Sequence, residues 1–248
     1  MMTTAAYETS ASEAALTSIT PVPDSHLTIV GNDIRVPDGM NNICGAAALI
    51  NSALATLRAE LVAPSLRATI NFDISPINNG LVFGSLPRLV RNWASPLPLV
   101  VNEPLDLQIQ NGAAVMNRGL VWFCDGPPKP TTGKVYTVRA TTSIALVTAT
   151  WVNGPLTFGQ TLPAGKYQIV GMRIWSANGV CARVFPVGAF WRPGVPMVNA
   201  EDNNEWLEFR YGGLGVWGEF LNTTPPTFDM LGITDTAQVV YLDLIKSA

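Results

Sequence analysis

Charge is scarce in this chain. Asp, Glu, Lys and Arg make up 13% of the 248 residues, about half the ~25% usual for soluble domains. A monomer of this size needs more charge than that to cover its surface, so much of the outside is expected to face other protein, in an obligate oligomer. Basic residues are fewer than acidic ones, 15 against 18, giving a net charge of −3 and a pI near 5.1. They gather into no cationic patch, and the first of them, Arg35, is preceded by Glu8, Glu13, Asp24 and Asp33. This argues against a nucleic-acid surface, which must neutralise phosphates.

Histidine is nearly absent: His26 stands alone. A Ser-His-Asp or Cys-His nucleophile system, or a histidine metal site, would have to use that one residue beside a loose amino-terminal segment. No catalytic, cofactor-binding or metal-ligating residues are therefore expected, and the chain is read as a non-enzyme. Three cysteines, Cys44, Cys124 and Cys181, with no Cys-x-x-Cys, make neither a disulfide framework nor a thiolate zinc site; one bridge with a thiol left over stays open. Walker-type phosphate loops and Gly-x-Ser-x-Gly elbows are missing.

Long hydrophobic runs are missing too. Gly39 to Thr56 contains Asn41, Asn42, Asn51 and Ser52, and Thr141 to Gly165 is broken by Asn153-Gly154-Pro155 and Pro163, so neither reads as a membrane span. The start, Met1-Met2-Thr3-Thr4-Ala5-Ala6-Tyr7-Glu8, has neither the basic region nor the apolar core of a signal peptide and is read as the start of the mature chain.

What is present is apolar and rich in turns: 48% hydrophobic residues, 21 Gly and 19 Pro, with a mean hydropathy of +0.24. Such a composition excludes disorder. Residues 1–25, rich in Ala, Ser and Thr, read as an extended tail. From Asn42 to Leu61 the apolar residues Ile43, Ala46, Ala47, Ile50, Leu54, Leu57 and Leu61 recur at steps of three and four, which predicts one helix over 42–61. The rest reads as short strands, among them Ala68–Ile74, Leu105–Ile109, Lys134–Val138, Tyr167–Ile174 and Val239–Leu244. No strand–helix–strand rhythm recurs, so the expected class is all-β and antiparallel. Asp125-Gly126-Pro127-Pro128-Lys129-Pro130-Thr131-Thr132-Gly133 makes a stiff connector over 125–133, dividing a first domain, 26–124, from a second, 134–248.

Self-comparison suggests that the two halves are a repeat. Asn79-Gly80-Leu81 matches Asn178-Gly179-Val180 at an offset of 99, each as a hairpin turn. Trp93, Pro98, Leu99 and Val100 match Trp191, Pro196, Met197 and Val198 at 98. Glu103–Ile109 matches Glu205–Tyr211 at 102, as an alternating strand. Both halves end in an apolar strand, Gly119–Cys124 and Gln238–Leu242.

Other constellations favour bland readings. Gly213-Leu214-Gly215-Val216-Trp217-Gly218 fits the letters of a dinucleotide loop but leads into Asn222-Thr223-Thr224-Pro225-Pro226 rather than a helix. Glu205 with Glu208, and Glu103 with Asp106, are candidate carboxylate pairs for glycoside hydrolysis, yet three residues apart on a strand they point to opposite faces. Asn199–Glu205 offers oxygen ligands without the spacing of a calcium loop. The seven tryptophans, Trp93, Trp122, Trp151, Trp175, Trp191, Trp206 and Trp217, serve either as packing or as a sugar-stacking platform. Asn222-Thr223-Thr224 spells a glycosylation sequon.

The duplicated elements joined by Asp125–Gly133 make the chain similar to the double jelly-roll major capsid proteins of icosahedral, membrane-containing bacteriophages and related viruses, over about residues 26–246. The resemblance implies two tandem jelly-roll β-sandwiches, the 42–61 helix being inserted in the first. It also implies a homotrimer whose six barrels form a pseudo-hexameric capsomer tiling a virion shell, assembled in the host cytoplasm. Partners would be copies of itself, other virion proteins and an inner membrane where there is one, with no sequence-specific nucleic-acid contact. A carbohydrate-binding β-sandwich, as in a virion spike or lectin, is the alternative.

Overall fold

The computed structural model describes residues 1–11, 15–50, 58–67, 72–74, 90–91, 93–111, 115–197 and 207–247. The chain is all-β and divides into two compact units, Thr3–Pro127 and Pro128–Ala248, with Met1–Met2 grouped with the latter. Every strand pair whose register is defined is antiparallel.

The first unit contains β1 (Met2–Ala11), β2 (Thr17–Ser18), β3 (Ile29–Val30), β4 (Asp33–Arg35), β5 (Asn42–Ile50), β6 (Arg58–Val62), the single turn α1 (Pro64–Arg67), β7 (Phe72–Ile74), β8 (Val90–Arg91), β9 (Leu97–Pro98), β10 (Pro104–Gln110) and β11 (Val115–Cys124). One sheet runs β1-β11-β5-β8, with β9 also on β5. The other runs β3-β4-β10-β6-β7, with β2 also on β10. The sheets face one another at Gly119 of β11, where a Cβ would fall 1.9 Å from Leu107 Cδ2 of β10; only glycine lets them approach so closely.

The second unit contains β12 (Val135–Thr142), β13 (Val152–Pro155), β14 (Thr157–Phe158), β15 (Lys166–Trp175), β16 (Gly179–Phe185), β17 (Gly194–Pro196), a 3₁₀ turn (Leu207–Phe209), β18 (Gly218–Leu221), β19 (Thr227–Gly232) and β20 (Gln238–Lys246). Its sheets run β14-β12-β20-β15-β18 and β13-β19-β16-β17. The strand order of the first unit thus recurs. In each, the first strand lies beside the last, the last beside a long inner strand (β5 or β15), and the penultimate strand (β10 or β19) is central in the opposite sheet.

Several sequence expectations are corrected. The segment read as a helix over 42–61 contains β5 and β6, residues 51–57 lying outside the described set. In β5, Ile43, Cys44 and Ala46–Leu49 are all buried, so successive residues pack on both faces. A strand buried on both faces reads as a continuous apolar run, and its steps of three and four carry no helical meaning. Residues 2–11, read as tail, form β1 beside β11. Its residues pack (Ala5, Ala6 and the large Tyr7 are buried), and it folds back on the next segment through Glu8 N–H to Thr20 O at 2.9 Å and Val22 N–H to Ala6 O at 2.8 Å.

The residue matches of the repeat also fail. Glu205–Tyr211 forms no strand where it is described, because Leu207–Phe209 is a 3₁₀ turn. Asn178-Gly179 closes no hairpin: β15 and β16 belong to different sheets. Trp93 precedes β9, on β5, whereas Trp191 precedes β17, on β16 of the opposite kind of sheet. The structural correspondence has a longer offset, since β10 and β19 begin 123 residues apart, as do β11 and β20. Asn79–Leu81 lies outside the described residues.

Candidate functional site

The residues weighed for chemistry are dispersed. His26, half-buried, sits in a turn where its backbone N–H donates to Asp24 Oδ1 at 2.9 Å. Glu103 accepts from Val100 N–H at 2.7 Å, Ser65 N–H at 3.0 Å and the Ser65 hydroxyl, pinning a loop. Asp106 accepts instead from Ser18 Oγ at 2.5 Å and Gln108 Nε2 at 2.9 Å. Glu205 and the whole of Asn199–Glu205 lie outside the described residues, and among the described ones no cluster of His, Cys, Asp or Glu suited to a metal is found. Gly215, at φ +81°, and Gly218 lead into β18, not a helix. Asn222 accepts from Gly165 N–H at 3.1 Å in the turn after β18.

Six of the seven tryptophans are described, and none is exposed. Trp122 is fully buried and meets Trp93 edge-on at 6.2 Å. Trp151 carries the Arg183 guanidinium over its ring at 3.8 Å, Trp217 meets Phe209 edge-on at 6.5 Å, and Trp191 donates from Nε1 to Trp217 O at 2.7 Å. The structure brings no tryptophan platform together from these six.

Much of the sparse charge is turned inward. Glu8, Glu60, Glu103, Asp106, Arg118, Arg183, Arg192, Arg210, Asp229 and Asp243 are all buried. Three pairs account for six of them: Arg118 with Glu8 at 2.8 Å, Arg183 with Asp229 at 2.7 Å and Arg210 with Asp243 at 2.7 Å. Buried guanidinium–carboxylate pairs break even on stability at best but penalise every arrangement that separates them. With these charges inside, the exterior is poorer in charge than the composition alone suggests.

Two surface features of the second unit stand out. The first is apolar and preformed: Phe190 is 67% and Val187 53% exposed, beside a shallow recess of about 320 Å³ lined by Pro186, Ala189, Trp191, Val216 and Glu219. The Trp191–Trp217 hydrogen bond ties the loop after β16 to the segment before β18. Pro186 packs so tightly over Gly218 that a Cβ there would fall 2.0 Å from its own. Arg192 stiffens the loop from inside, its guanidinium 3.6 Å from the Phe185 ring centre and Nη1 donating to Ala189 O at 2.8 Å and Trp191 O at 2.9 Å. Apolar side chains held out on a rigid loop cover area on contact at little entropic cost.

The second feature is a half-enclosed groove of about 370 Å³, bounded by Tyr136 and Val138 of β12, Leu244 and Lys246 of β20, Tyr167 of β15 and the 160–163 loop. The Tyr167 hydroxyl donates to Pro163 O at 2.7 Å, holding the loop over the strands. Sequence reading missed both features. A large aromatic in Pro186-Val187-Gly188-Ala189-Phe190, a turn rather than a strand, was the available signal for the first; the second depends on a loop's path, which no local pattern encodes.

No family model, no curated protein and no solved structure matches the chain.

Proposed function

We propose that the protein is a structural shell subunit: two tandem jelly rolls in one chain that associate as a homotrimer, the trimers tiling a viral capsid. The observation that carries this reading is the recurrence of one strand order in both units, first strand beside last and penultimate strand central in the facing sheet. Such a recurrence supports the reading of each unit as a jelly roll, an architecture found in capsid and lectin domains. Fold alone does not fix function. The inward-turned charge and the rigid apolar loop around Phe190 favour self-association over a soluble lectin, as does the engagement of the six described tryptophans within the fold.

Negative-stain electron microscopy of the purified chain tests the reading. Three-fold particles with a hexagonal outline, or closed shells, are expected. Isolated single-chain particles that never associate would refute it.

A further inference from the structure

The groove beneath the 160–163 loop has a chemistry that points to a ligand. Its floor is apolar and buried: Val138, Leu162, Tyr167 and Leu244 are each at most 8% exposed. Its walls are rigid, because the Tyr167 ring stacks on Phe220 at 5.6 Å, Phe220 stacks on Phe158 at 6.2 Å, and the Tyr167 hydroxyl fixes the loop. Its rim is polar and cationic. Gln160, Thr161 and Lys246 are exposed there, and Lys134 Nζ lies 5.1 Å from the ring centre of half-exposed Tyr136. Among the described residues, no Asp or Glu side chain lines it.

We propose that this groove binds a single-chain carboxylate, a medium-length fatty acid, with its alkyl tail on the Val138–Leu244 floor and its head group at Lys246. The size sets the chain length. A volume of about 370 Å³ holds on the order of ten to twelve methylenes if each takes about the ~30 Å³ share of a water molecule, and such a volume falls at the small end of ligand pockets. Two acyl chains do not fit, which excludes a diacyl phospholipid. An apolar floor gives a sugar ring no hydrogen-bond partners, whereas it suits an alkyl chain. Lys246 at the rim selects a carboxylate over an alcohol.

Titration calorimetry of the full chain with decanoate, decanol and methyl glucoside tests this independently of the shell reading. Decanoate is expected to bind saturably, decanol about tenfold more weakly, and methyl glucoside not at all. Val138→Trp, which fills the floor, is expected to abolish binding. Because a buried substitution can impair folding, Thr161→Trp, on the exposed rim, is the second block and is expected to weaken decanoate at least about tenfold. Lys246→Glu is expected to weaken decanoate while leaving decanol unchanged. The proposal is overturned by the absence of decanoate binding at about 1 mM, a thousandfold above a micromolar site. Unchanged affinity in a folded Thr161→Trp variant, or methyl glucoside competing with decanoate, would overturn it equally.

Discussion

Arg118 donates from Nε to Glu8 Oε2 at 2.8 Å, and the two side chains are 0% and 1% exposed. The pair joins the first strand of the first unit to its last. Removing one partner strands the other charge in a dry interior. Glu8→Ala is therefore expected to cost about 3–5 kcal/mol in urea denaturation, and the double variant Glu8→Leu with Arg118→Met is expected to recover most of it. A neutral Glu8→Ala would show that the pair is hydrated in solution.

Asp243 organises the second unit. It receives Arg210 in bidentate fashion, at 2.7 and 3.1 Å, together with Thr137 Oγ1 at 2.7 Å and Tyr211 N–H at 3.0 Å. Gly171, at a register shift in β15, leaves room for this network: a Cβ there would lie 2.7 Å from Asp243 Oδ2 and 2.8 Å from the Phe209 carbonyl oxygen. Gly171→Ala is expected to destabilise by about 1–3 kcal/mol, the usual cost of overpacking, read as a lower Tm.

Acid should weaken the turn at Asp235. Burial pushes this carboxyl up, but the Ser176 hydroxyl and the Thr236 and Ala237 N–H groups, at 2.7 and 3.2 Å, outweigh it and hold the pKa below its ordinary value. A depressed folded pKa adds stability above the unfolded value, ~3.9 for Asp, and that stability is lost as pH falls through the folded value. The Tm gap between the natural chain and Asp235→Asn should be widest above about pH 5 and close towards about pH 2. A gap that stays constant with pH would contradict the assignment.

The three cysteines are free and buried. Burial drives the thiols of Cys44 and Cys181 far up, whereas a hydrogen bond from Cys44 draws Cys124 down despite its burial. Since the thiolate is the reactive form, an aromatic disulfide reagent is expected to modify Cys124 first in the native protein and all three only after denaturation. Rapid native reaction of Cys181 would show that β16 opens.

The all-β class was legible because alternation survives wherever one strand face is solvated, as in Lys134–Val138. It failed where burial is two-sided: β5 offers no polar face, and its Ala-rich run fits a helical template equally well. Tail and strand β1 share a composition of Thr and Ala, and only long-range partners such as Arg118 separate them. One strand order recurs in both units, but the residue matches were misregistered, because Trp and Pro were matched by spacing while the corresponding strands, β10 with β19 and β11 with β20, begin 123 residues apart. Catalytic residues were not expected from a chain with one histidine; Phe190 in a turn was a signal left unread, whereas the Lys246 groove depends on a loop path that sequence spacing does not encode.

We propose that this surface is made for copies of itself. Multi-angle light scattering on the purified chain at micromolar concentration tests it directly. The expected result is a trimer of about 80 kDa, three times the 26.6 kDa chain, or a larger multiple of three; a stable 26.6 kDa monomer would contradict it.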